Sequence, residues 1–143
     1  MVEVRLQFPE SLSSFAQALQ QAGEAVLALA AELRANSGGT VDYGNIEQDV
    51  GEKLGELERG AHQALLGELD IDAPYVRVWG KYYRRVGRHP GIYNCLAGPV
   101  EVPRTVYRRL SERSGESIDA VSLRTGAIGD GWLPRTGRAM VDL

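Results

Sequence analysis

The chain has 143 residues, 43% hydrophobic and 24% charged, enough apolar material for one core with a helical extension. Its net charge of −3 conceals two opposite halves: residues 1–72 carry four Lys or Arg against thirteen Asp or Glu, and residues 73–143 carry twelve against six. No apolar run approaches the ~20 residues that span a bilayer, and the N-terminus lacks the basic and apolar parts of a secretory signal. One cysteine and two histidines can build neither an intramolecular disulfide nor a Cys/His zinc site, so the expectation is a cytoplasmic protein with no metal and no other cofactor.

Val2, Val4, Leu6 and Phe8 alternate with Glu3, Arg5 and Gln7, the period-two pattern of a half-buried strand, and Pro9 ends it. From Leu12 the period changes. Leu12, Phe15, Leu19, Ala22, Val26, Leu29 and Leu33 are spaced alternately three and four apart, a heptad seam that predicts a helix packed along a narrow stripe. Asn36, Ser37, Gly38 and Gly39 should stop it, because glycine tolerates the left-handed cap conformation. Ile46, Val50, Leu54, Leu57, Ala61, Leu65 and Leu69 fall mostly four apart and predict a second helix over 43–69. Gly51, Gly55, Gly60 and Gly67 each cost ~1 kcal/mol relative to alanine there, so this helix needs tertiary packing. Two such helices either fold back as a local hairpin or pair their seams with a second subunit.

Between residues 77 and 109 stand Arg77, Lys81, Arg84, Arg85, Arg88, Arg104, Arg108 and Arg109 against one acid, Glu101. Valine, tyrosine and isoleucine are frequent in this run, and turn signals at Gly80-Lys81, 87–91 and 97–99 divide it into four short strands of an antiparallel meander. A sheet that carries many guanidinium groups suits a polyanion, and Lys81, Arg84, Arg85, Arg88, Arg104, Arg108 and Arg109 are the candidate DNA-contacting residues. The competing arrangement pairs these arginines internally with Glu52, Glu56, Glu58 and Glu68. Tyr82, Tyr83, Tyr93 and Tyr107 interleave with the arginines, either as sheet core or as stacking surfaces for bases. Trp79 and Trp132 read as core anchors. A polar loop follows Leu110, residues 118–128 are ambiguous, and Trp132, Arg135, Ala139 and Leu143 mark one side of a C-terminal helix whose first turn accepts Pro134.

Other chemistry is poorly supported. His62 and His89 have no partner ligands, Cys95 reads as an inert buried thiol, and Asp70, Asp72, Asp119 and Asp130 lie near glycine or proline, where turn and cap roles explain them. No residue is assigned as catalytic. The fold expectation is α+β: an N-terminal strand and acidic two-helix hairpin in 1–72, then a small antiparallel β-meander with a C-terminal helix in 73–143.

The segments at 80–91 (GKYYRRVGRHPG), 93–108 (YNCLAGPVEVPRTVYR), 119–126 (DAVSLRTG) and 130–134 (DGWLP) together resemble the N-terminal region of bacterial insertion-sequence transposases of the ISKra group. The resemblance covers about half the chain and implies DNA transposition by a separate RNase-H-like domain with three acidic residues and two divalent metal ions. No position here matches one of those acids, and the apolar pattern is still running at the last residue. The implied role is that of a truncated, non-catalytic fragment that contacts DNA and associates with itself as a homodimer or with an intact transposase. The alternative is a small protein-interaction or oligomerisation module that uses the heptad helix and has no nucleic-acid role.

Overall fold

The structure is a computed structural model, and it describes residues 1–110, 116–127 and 131–141. The chain divides into two compact units, Met1–Ala64 and Leu65–Leu143. Among the described residues no helix is long and apolar enough to cross a membrane.

In the first unit, a 3-10 turn at Glu10–Leu12 leads into helix α1, Ser13–Ala35, and helix α2 runs over Tyr43–Gly67, its last turn belonging to the second unit. Both helices fall where the apolar spacing puts them. After Asn36, Ser37 (φ 53°) and Gly38 (φ 82°) take the left-handed conformation that turns the chain. The Asp42 carboxylate accepts a bond from the Asn45 amide at 3.3 Å, satisfying one of the donors left over at the start of α2. The helices are antiparallel: a Cβ added at Gly60 would lie 3.8 Å from the Ala18 methyl and 4.0 Å from the Phe15 ring. Farther along, Ala25, Val26, Ala28 and Leu29 with Asp49, Val50, Glu52 and Lys53 line a cleft of about 340 Å³. The heptad seam is therefore covered around Ala22, whereas Val26 and Leu33 stand exposed.

The strand expected over residues 2–8 is absent, and Val2, Val4 and Leu6 are exposed. Alternation says which side of a strand would face a core, but a strand exists only through a ladder partner, and the described ladders all join strands of the second unit. Phe8 from this pattern is engaged, with its ring edge-on to Phe15 at 5.8 Å.

The second unit is a four-stranded antiparallel meander in the order β1 (Tyr75–Val78), β2 (Lys81–Cys95), β3 (Gly98–Arg109) and β4 (Ser117–Asp119). Two short helices follow, α3 (Ala120–Thr125) and α4 (Pro134–Val141). Residues 75–110 thus hold three strands in place of the four expected, because 87–91 runs straight through β2. Pro90 lies directly opposite Pro103, so both missing N–H groups fall on one rung and the neighbouring rungs stay intact. The glycine signal marks a register shift between Arg85 and Gly87, a bulge, and no turn forms there. The fourth strand comes from the stretch that was ambiguous in sequence and pairs with Val106, Tyr107 and Arg108. Asp119 caps α3 by accepting from the Ser122 amide at 2.8 Å, and Gly126 (φ 68°) closes it. At the far end of β2, Asn94 exchanges backbone bonds with Gly131 and Leu133 (2.8 and 3.2 Å). Gly131 has φ 86°, and a Cβ there would meet the Ile92 carbonyl oxygen, so no other residue fits.

Burial changes sides along the β2–β3 ribbon. Near its turn Tyr93, Val100 and Val102 share one face and pack with Leu66, Cys95 and Val121. Near its open end the buried residues are Tyr83, Thr105 and Tyr107, which alternation places on the opposite face. The segment leaving α2 supplies that second cover. Asp70 accepts from the Thr105 amide at 2.9 Å and the Thr105 hydroxyl at 2.8 Å, and the Tyr107 hydroxyl donates to the Ile71 carbonyl at 2.6 Å and accepts from the Ala73 amide at 3.0 Å.

The Asp70 side chain is 8% exposed, and removing it strands two donors of a fully buried threonine. Asp70→Ala is expected to destabilise the protein by about 2–4 kcal/mol, the cost of two orphaned buried donors. Asp72→Ala, which breaks an exposed ion pair with Arg85, is expected to cost below ~1 kcal/mol. Urea denaturation of both variants checks the contrast.

Candidate nucleic-acid interface

The seven basic residues singled out in sequence do not form one surface. Strand register sorts them between the two faces of the sheet. Arg84 and Arg108 are directly opposite each other, whereas Lys81, Arg85, Arg88 and Arg109 lie on the other face, opposite or alternating with Val78, Tyr107, Thr105 and Tyr83. Arg85 and Arg88 are three apart, and simple alternation would separate them. The bulge returns both to one face.

Ion pairing sorts them again. Arg104 Nη1 sits 2.9 Å from Asp119 Oδ2, Arg85 Nε lies 2.8 Å from Asp72 Oδ1, and Arg88 Nη2 lies 3.9 Å from Asp70 Oδ2. The neutralising acids are aspartates that leave helix α2 or cap helix α3, not the glutamates Glu52, Glu56, Glu58 and Glu68 of the competing arrangement. Arg109 is also engaged. Lys81 and Arg84 have no carboxylate partner among the described residues, and Arg108 has only the Ser117 hydroxyl, 3.4 Å from its Nε.

Arg104 is structural. Its Nη1 also lies 3.4 Å from both the Tyr93 and Ser122 hydroxyls, and those two hydroxyls are 2.7 Å apart. The Tyr93 hydroxyl further donates to Asp119 Oδ1 at 3.2 Å. This cluster pins β2, β3, β4 and α3 together. Burial raises the Tyr93 pKa above the ordinary tyrosine value, outweighing the lowering by its bonds to Ser122 and Arg104.

What remains open is the face opposite the Asp70 cover. There a row runs across all four strands: Tyr75, Arg84, Arg108 and Ser117. Beside it on the same face stand Arg77 and Tyr82, with the Arg77 guanidinium 5.5 Å from the centre of the Tyr82 ring. Tyr75, Arg77, Tyr82, Arg84 and Arg108 are all exposed. Two arginines directly across a ladder repel each other unless an anion lies over them. A surface that holds three guanidinium groups among two tyrosine rings offers charge to phosphates and flat apolar area to bases.

Sequence reasoning left Arg77 and Tyr75 out of the site, because their membership depends on register with β2. It also misplaced Trp79, read as a core anchor. Trp79 is 87% exposed at the two-residue turn between β1 and β2, with φ 50°, followed by Gly80 with φ 76°. Two positive φ values in succession describe the turn that asparagine-glycine usually makes. A tryptophan held there strains the backbone by about 1–2 kcal/mol. The signal was present in the sequence as Val78-Trp79-Gly80-Lys81, two strand residues around a two-residue loop.

The remaining sequence candidates are quiet. Cys95 is buried and its thiol points to the Gly98 carbonyl at 3.2 Å. Asp70 and Asp119 are spent on hydrogen bonds within the fold, and among the described residues no three His, Cys, Asp or Glu side chains come together as a metal site. Asp130 and Leu143 lie outside the described residues, as does most of the polar loop after Leu110. No protein-family model, curated protein or solved structure matches the chain.

Because the fold holds Tyr93 in its neutral form, its contribution to stability is complete below the ordinary tyrosine pKa of about 10 and is lost as pH rises through the elevated folded value. Urea midpoints at about pH 9 and about pH 11 are expected to fall less in Tyr93→Phe than in the parent protein.

Proposed function

We propose that this chain is a non-catalytic DNA-contacting and assembly part of a DNA transposition system, acting in the cytoplasm, and that the sheet face around Arg84 and Arg108 is where DNA is met. The observation that carries the reading is the cross-strand pair itself: two guanidinium groups held opposite each other, exposed, with no carboxylate within ion-pairing distance among the described residues. Other arginines of the same strands are neutralised by aspartates, so the fold had acids to spend and left this pair uncovered. The motif order at 80–91, 93–108, 119–126 and 130–134, which resembles the region ahead of the catalytic domain in ISKra-group transposases, supports transposition as the setting.

The assembly part of the reading rests on helix α1, whose Val26, Leu27 and Leu33 are exposed along or beside the heptad seam. A second seam of the same kind would cover them. Light scattering at about 100 µM protein is expected to give a dimer, since an exposed heptad seam favours pairing. A monomer at that concentration removes this part of the proposal.

For the DNA part, anisotropy titrations with a labelled duplex are the test. Contact of phosphates by Arg77, Arg84 and Arg108 gives a log–log salt slope of about −3. Arg84→Glu with Arg108→Glu is expected to weaken binding at least tenfold at ~100 mM salt and to flatten the slope by about 2 units, since two phosphate contacts are lost. Unchanged affinity in the double variant contradicts the proposal.

A further inference from the structure

Trp79 is exposed, strained and placed beside a cleft. The cleft has a volume of about 340 Å³ and is lined by Val76, Val78, Trp79 and Leu123, with Arg77 and Arg124 as its charged residues. Arg77 lines this cleft at the β1 edge while its guanidinium lies over the Tyr82 ring on the opposite face, so the two surfaces meet around that edge of the sheet. Lys81, opposite Val78 on the cleft side and without a carboxylate partner among the described residues, continues the positive charge there. Arg124 is exposed and held toward the backbone of the preceding segment by a 2.9 Å bond from Nη1 to the Leu69 carbonyl.

We propose that this edge is a stacking site for an unpaired base, so that the chain prefers single-stranded DNA to duplex, with Trp79 as the platform and Arg77, Lys81 and Arg124 on the flanking phosphates. The inference rests on the DNA reading above and makes it more specific. Three observations converge on it. An exposed indole in a left-handed turn keeps a large apolar plane in water, and strain of this kind persists where the surrounding structure holds it for a purpose. An apolar cleft with a few charged groups in its lining suits a flat heterocycle whose charge lies on its attached phosphates, which matches a nucleotide and not a neutral lipid or a helix. A paired base cannot present its ring face to Trp79, because both its faces are stacked within the duplex. Tyr75 and Tyr82 provide further planes on the adjoining surface for neighbouring bases.

The experiment uses the full chain with a fluorescein-labelled 12-nucleotide single strand of mixed sequence and the matching 12-base-pair duplex. The parent protein is expected to bind the single strand more tightly, with quenching of tryptophan emission. Trp79→Ala is expected to lose about tenfold in single-strand affinity, as for one stacked base, while its duplex affinity moves less than about twofold. Trp79→Phe keeps a ring and is expected to recover most of the affinity but not the quenching, which guards against a folding artefact in the alanine variant. Equal binding of both DNAs with no effect of Trp79→Ala overturns this inference and leaves the Arg84–Arg108 proposal standing. Binding of neither DNA overturns both.

Discussion

The β2–β3 ribbon buries one face near its turn and the opposite face near its open end, and the change-over occurs at Arg104. Val100 and Val102 look into one core, Thr105 and Tyr107 into the other, and the Arg104–Asp119 pair ties the two together at 2.9 Å. A charged group can sit at such a junction because it keeps some contact with solvent and has the Asp119 carboxylate and the Tyr93 and Ser122 hydroxyls around it. Each face of the ribbon is therefore bare over half its length. The bare half near the open end carries Tyr75, Arg77, Tyr82, Arg84 and Arg108, and the proposed DNA surface follows from that one geometric fact.

Charge alone would not have singled out this surface. The second half of the chain is basic throughout, yet Arg85, Arg88 and Arg104 are held by Asp72, Asp70 and Asp119. Asp70 and Asp72 come from the segment between α2 and β1, so the element that builds the second cover also neutralises the face it covers, and Asp119, the cap of α3, holds Arg104 on the other face. Arg84 and Arg108 keep their charge because no element carrying an acid packs over them among the described residues. The electrostatic pattern and the packing pattern have the same cause.

The two helices and the antiparallel sheet were legible in the sequence because apolar spacing and β-branched composition report period directly. Strand placement was not: Gly87, Pro90 and Gly91 look like a turn, and only the coincidence of Pro90 with Pro103 across the ladder lets the strand continue. The N-terminal alternation was genuine, but a strand requires a partner that composition cannot supply. For the site, the basic run was visible and its division was not. Which arginines share a face depends on a one-residue bulge beside Val86, and which are neutralised depends on aspartates 13 to 18 positions away in the chain or across the sheet. Trp79 was misread because a tryptophan that follows a valine-rich strand ordinarily belongs to a core; the turn's two positive φ values overrode that preference.

The most direct measurement of the central claim is a two-dimensional NMR titration that follows the arginine Nε–Hε resonances as duplex DNA is added. The account requires the Arg77, Arg84 and Arg108 signals to move first and furthest, with Arg85, Arg88 and Arg104 held in place by their aspartates. Shifts spread evenly over all the arginines, or concentrated on Arg85 and Arg88, would contradict it and place the contact on the face that the Asp70 segment covers.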